Sequence, residues 1–147
     1  MKPKILFRLS LLGSTVSLCL IMAQSLLFAG GPPDAEDITG IEWEWVQSLY
    51  SNDARALPAD PTHYTITFKP DGMLNVRADC NRAGGTYTVK DQSIAVKVTH
   101  STMALCPPDS LDGKFLKDLD AATIYFFKDG YLYLDLKYDS GTMKFRP

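Results

Sequence analysis

The chain has 147 residues, 46% of them hydrophobic and 22% charged, a balance that fits one globular domain and excludes a disordered body. Its formal charge of −2 conceals an asymmetry: Lys2, Lys4 and Arg8 all lie near the start, and without these three the 15 Lys and Arg become 12 against 17 Asp and Glu, a net of about −5. That argues against a nucleic-acid partner, because a chain that reads a phosphate backbone presents a basic face and the cations here are scattered singly among carboxylates.

Residues 1–29 have the form of a secretory signal: a cationic start, a nearly uncharged run from Leu9 to Phe28, then small residues. Ala23 and Ala29 are the candidate cleavage positions. The competing reading is a retained single-span anchor, which about twenty apolar residues would permit; Gly13, Ser14, Thr15 and Ser17 dilute it. Lipidation at Cys19 is discounted, since Leu18 stands where a small residue is needed. Residues 30–40, with Pro32 and Pro33 and little to bury, read as a flexible linker, and the folded domain is expected over 41–147.

Ile41 to Tyr50 alternates Trp43 and Trp45 with Glu42 and Glu44, the period of a half-buried strand. Residues 51–61 read as a surface loop. Tyr64, Ile66 and Phe68, then Pro70-Asp71-Gly72, then Leu74, Val76 and Ala78 form a hairpin pattern. The segment from Asp79 to Tyr87 reads as a bend at Gly84-Gly85 between two strands, with Asn81 as a local turn cap and the glycines supplying positive φ. Ile94, Val96 and Val98 continue the alternation, and Pro107-Pro108 ends it.

Asp109 to Ala122 is the one convincing helix, capped by Asp109 or Ser110 and carrying Leu111, Phe115, Leu116, Leu119 and Ala122 on one stripe. Three strands close the chain over Thr123–Lys128, Tyr131–Lys137 and Thr142–Arg146. The expected core is Trp43, Tyr64, Phe68, Leu74, Val76, Phe115, Leu119, Phe126, Leu132, Leu134 and Phe145. Because Tyr131, Tyr133 and their neighbours make the second face of the late strands apolar as well, those strands are expected between a barrel interior and the helix.

The spacing Cys80-Asn81, Gly85, Tyr87, followed by Thr102-Met103-Ala104-Leu105-Cys106-Pro107, resembles the META domain family, also called HslJ-like. Trp43, the Phe68-Lys69-Pro70-Asp71-Gly72 turn, the Phe115-Leu116-x-x-Leu119 helix and Gly141-Thr142-Met143-x-Phe145 extend the likeness over nearly the whole mature chain. Met103 departs from it, many members placing that methionine one residue later. The resemblance implies an α+β, mainly β unit: a curved antiparallel sheet or partly open barrel of about eight strands with one helix packed on it, usually in the bacterial envelope. Members are linked to heat-shock-inducible outer-membrane proteins, antibiotic tolerance and, in parasites, virulence, and the fold is similar to lipid-binding secretion pilot proteins. It supplies no catalytic set, metal or cofactor.

Cys80 and Cys106 are the two cysteines left after export and are expected to form a disulfide in an oxidising compartment; the competing reading is a pair of buried free thiols. A thiol nucleophile at Cys106 with His100 as base, and a metal site of Cys80, His100 and Cys106 that lacks a fourth ligand, are the weaker chemistries. The expectation is therefore an exported, periplasmic or extracellular, monomeric protein that is not an enzyme and binds another protein or supports the envelope under stress. The alternative is a carrier of a lipid or other apolar ligand; inhibition of a secreted enzyme is a third possibility with no target legible.

Overall fold

The computed structural model describes residues 38–147; the predicted leader and most of the predicted linker lie outside that range. The last three residues of that linker are tied to the domain. Ile38 is fully buried, its carbonyl accepts the Trp43 indole N–H at 3.0 Å, and Gly40 donates its N–H to Phe68 O at 2.9 Å. The packed domain thus includes Ile38, ahead of the expected start at Ile41.

Alternating sequence becomes strand throughout: β1 (Glu42–Tyr50), β2 (Arg55–Ala56), β3 (Tyr64–Phe68), β4 (Met73–Ala78), β5 (Asn81–Lys90), β6 (Ser93–Ser101), then α1 (Asp112–Leu119), β7 (Ala122–Lys128), β8 (Tyr131–Leu136) and β9 (Gly141–Arg146). All strand pairings are antiparallel; from β3 to β9 each strand pairs with the next in the chain, and β1 pairs with both β3 and β9. That last pairing closes an eight-stranded barrel with β2 as an extra strand on β1. Closure removes the exposed edges that an open sheet would leave. The thinnest join is β6 to β7, where the register rests on Ser93 opposite Ile124 and on Tyr125 N–H to Gln92 O at 2.9 Å.

The helix packs on the barrel through its buried apolar residues. Phe115 stacks on Trp45 at 5.0 Å and meets Tyr64 edge-on at 5.6 Å, with Phe145 at 6.3 Å. Leu119 is also fully buried, so the apolar stripe of the helix and the inner face of the sheet share one core. Ten of the eleven expected core residues are buried. Phe126 is not: Tyr125 takes the inner position, and Phe126 stacks on Tyr133 outside, ring centroids 5.0 Å apart. The cause is a β-bulge between Ala122 and Ile124, whose extra residue inverts the in-out alternation.

Five further expectations are corrected. The helix is shorter than 109–122, because a Pro107–Ser110 turn precedes it and Ala122 is drawn into pairing with Leu136. Its cap position is Leu111, with Ser110 Oγ accepting from Asp112 N–H at 3.3 Å. The 51–61 loop contains β2 and buries Ala56. The second face of the late strands is outer surface, not a helix contact: Tyr131 and Tyr133 lie there half-buried, with Lys144 Nζ 3.6 Å from the Tyr131 ring centre.

Gly84 and Gly85 are the fifth. They sit inside β5; the reversal is at Asp79-Cys80, where Asp79 takes φ 55°. The two glycines are required for close approach. A Cβ on Gly85 would lie 1.9 Å from Lys97 O, and one on Gly84 would lie 2.7 Å from the His100 ring, at a second bulge between β5 and β6.

Candidate functional site

The strand reversal at Asp79-Cys80 places Asn81 at the first position of β5, facing the segment that leaves β6. That segment, residues 102–106, has no regular structure, and the Asn81 carboxamide organises it. Asn81 is 3% exposed. Its Oδ1 accepts from Ala104 N–H and from Thr102 Oγ1, each at 2.8 Å, and its Nδ2 donates to Ala104 O at 3.3 Å and to Asp112 Oδ2 at 2.9 Å. A buried amide needs partners for both donors and its acceptor, and this one finds them on the loop and on the first turn of α1. The expected local turn cap is thus a long-range tie.

Thr102 adds a second anchor. Its N–H donates to Arg82 O at 2.8 Å and its Oγ1 accepts from Arg82 N–H at 2.9 Å. Cys106 is joined to Cys80 with Cα atoms 5.5 Å apart, so the loop is fixed covalently at its far end. Both thiols are consumed in that bond, and His100 hydrogen-bonds Thr99 Oγ1 through Nδ1 at 3.1 Å; the pairing of His100 with a Cys106 nucleophile has no counterpart in the structure.

Between these anchors the loop exposes apolar side chains. Met103 is 96% and Leu105 101% accessible. Exposed singly, such residues would be unremarkable; here two of them flank a residue whose main chain is held rigidly. In the sequence, Met103-Ala104-Leu105 is only three consecutive apolar residues before Pro107-Pro108, and Asp112 carries no signal beyond being an acid at a helix start.

Gly85 and Tyr87, the other motif positions, lie elsewhere and serve the barrel. Tyr87 Oη donates to Lys69 O at 2.7 Å and its N–H to Gly72 O at 2.9 Å, clamping the β3–β4 turn, while burial and then nearby Asp71 push the hydroxyl pKa up. A second polar cluster that sequence reasoning missed lies under α1: Asp118, 7% exposed, accepts from Ser48 Oγ at 3.0 Å and from the Tyr50 hydroxyl. Asp118, an acid beside the apolar stripe of the helix, is the one sequence signal that could have found it. Among the described residues no group of His, Cys, Asp and Glu is placed to hold a metal, and no helix is long and apolar enough to cross a membrane.

A family model described as META domain matches residues 36–146. No curated protein matches the chain. Among solved structures, a protein from Burkholderia xenovorans determined by NMR is 18% identical at a TM-score of 0.60, covering 76% of this chain and 83% of its own. A DUF4847 family protein from Bacteroides vulgatus is 19% identical at a TM-score of 0.55, covering 76% and 94% respectively. Both show a shared fold.

Proposed function

Since the chain belongs to the META domain family, we propose that it is an exported, non-enzymatic binding module that engages another protein through the loop at residues 102–105. The observation that carries this is the near-complete exposure of Met103 and Leu105 on a loop whose neighbouring positions are tied down. Ordering a flexible loop on binding costs free energy at each immobilised side chain, and a loop already ordered avoids most of that cost. The disulfide supports an oxidising compartment, in keeping with the secretory form of residues 1–29. The alternative of an apolar carrier draws less support, since Trp45, Tyr64, Phe115 and Phe145 are all buried in the core and joined by ring contacts through Phe115.

A photo-crosslinking amino acid placed at Leu105, with a control at Lys90 at the other end of β5, tests the reading in native envelope. One protein adduct specific to position 105, and lost on Met103→Asp, is expected. Equal labelling from both positions, or lipid adducts alone, would sink it.

A further inference from the structure

The loop is tied to the domain at every second residue. Thr102 exchanges hydrogen bonds with Arg82, Ala104 has both its N–H and its C=O engaged by Asn81, and Cys106 is bonded to Cys80. Met103 and Leu105, between these anchors, make no hydrogen bond to any described residue. Residues 102–106 contain no helix, turn or bend and none enters the left-handed region, so the segment runs extended. An extended chain alternates its two sides with a period of two. One side of this segment is therefore committed to the domain, while the other offers free main-chain N–H and C=O groups together with two outward apolar side chains.

Resting on the loop-binding reading above, we propose that residues 102–105 are the reactive loop of an inhibitor, entering the substrate cleft of a secreted serine endopeptidase with Met103 in its apolar specificity pocket. Such clefts bind an extended peptide by main-chain pairing, and a side-chain pocket next to the attacked carbonyl sets the preference. The segment supplies both requirements at Met103. An ordinary substrate loop differs in one respect: once cut, its ends separate.

Here they are held. Attack of the peptidase serine oxygen on the Met103 carbonyl carbon breaks the C–N bond to Ala104; the serine proton passes through the enzyme's base to the Ala104 nitrogen, leaving an ester at Met103 and an amine at Ala104. That amine lies on Asn81 Oδ1, at 2.8 Å in the intact loop, with its own side of the cut anchored by the Ala104 carbonyl and the disulfide. The other side is anchored through Thr102. Attack of the amine on the ester then restores the peptide bond and returns the proton to the serine. Holding the two reacting groups together favours this return over loss of the amine and hydrolysis. The peptidase stays occupied by a loop that it does not consume.

The full mature chain with its disulfide formed is titrated against a chymotrypsin-type and a subtilisin-type endopeptidase that accept apolar side chains, with a small chromogenic substrate as readout. Stoichiometric inhibition is expected. Met103→Leu retains it and Met103→Asp weakens it by at least about 30-fold, the loss at a central binding residue; both changes are at an exposed position and leave folding intact. Asn81→Ala converts the chain to a substrate cut between Met103 and Ala104, seen as two fragments held by the disulfide. Absence of inhibition by the wild-type chain, its complete cleavage as a substrate, or inhibition indifferent to Met103→Asp would each overturn the assignment. If crosslinking from Leu105 still captures a single partner that is not a peptidase, the loop-binding reading stands and the inhibitor assignment falls.

Discussion

Asp118 is a carboxylate brought almost wholly out of water, and its position is tolerable because two hydroxyls face it. Ser48 and Tyr50 reach it only because β1 carries a bulge between Trp45 and Gln47, which turns positions 48 and 50 toward the helix after Trp43 and Trp45 have already pointed inward. Burial, followed by the hydrogen bond to Asp118, raises the pKa of the Tyr50 hydroxyl above its ordinary value of 10.0. A raised folded-state pKa means that the folded protein holds the proton more firmly than the unfolded chain does. The resulting stabilisation is fully present below pH about 10 and is lost as pH rises toward the folded value. Urea unfolding between pH 8 and 11 should therefore show wild-type stability falling more steeply than that of Tyr50→Phe. Parallel curves would mean that the hydroxyl does not couple to folding.

At the level of elements, strand identity was legible and strand parity was not. Alternation of apolar residues marks where β1, β3, β4, β6 and β8 run, but each bulge adds one residue and exchanges the faces beyond it. In β7 the exchange puts Tyr125 inside and Phe126 out against Tyr133. Both residues are aromatic, so composition alone offers no preference between them. Tyr125→Ala should cost about 3 to 5 kcal/mol, as for other emptied aromatic core sites, whereas Phe126→Ala loses mainly one half-buried ring stack, about 0.5 to 1.5 kcal/mol. Chemical denaturation of the two variants checks the order; a larger loss at Phe126 would contradict the bulge. Gly84 and Gly85 teach the same point. A Gly-Gly pair signals either a turn or a close backbone approach, and only the passage of β6 beside β5 decides for the second.

Across the whole molecule, the bond between Cys80 and Cys106 closes a loop of 26 residues that contains all of β5 and β6. On the chain-entropy model it should stabilise the domain by roughly 3.5 kcal/mol, a large share of the total for a small domain. Denaturation with and without reductant measures this directly, and a difference below about 1 kcal/mol would show that the remaining contacts already confine the loop in the unfolded chain. Local chemistry determined much from the sequence by itself: the alternating strands, the turn at Pro70-Asp71-Gly72, the helix stripe around Phe115 and Leu119, the family, and the cysteine pair as a candidate bridge. These depend on residues close in the chain, where period and turn preference act. The closing of β9 onto β1, the bulges that reassign faces, the tie from Asn81 to a loop more than twenty residues away, and the exposure of Met103 and Leu105 were decided only by the tertiary structure. Each requires knowing which distant backbone group meets which side chain, and an apolar residue in a sequence looks the same whether packing covers it or leaves it in solvent.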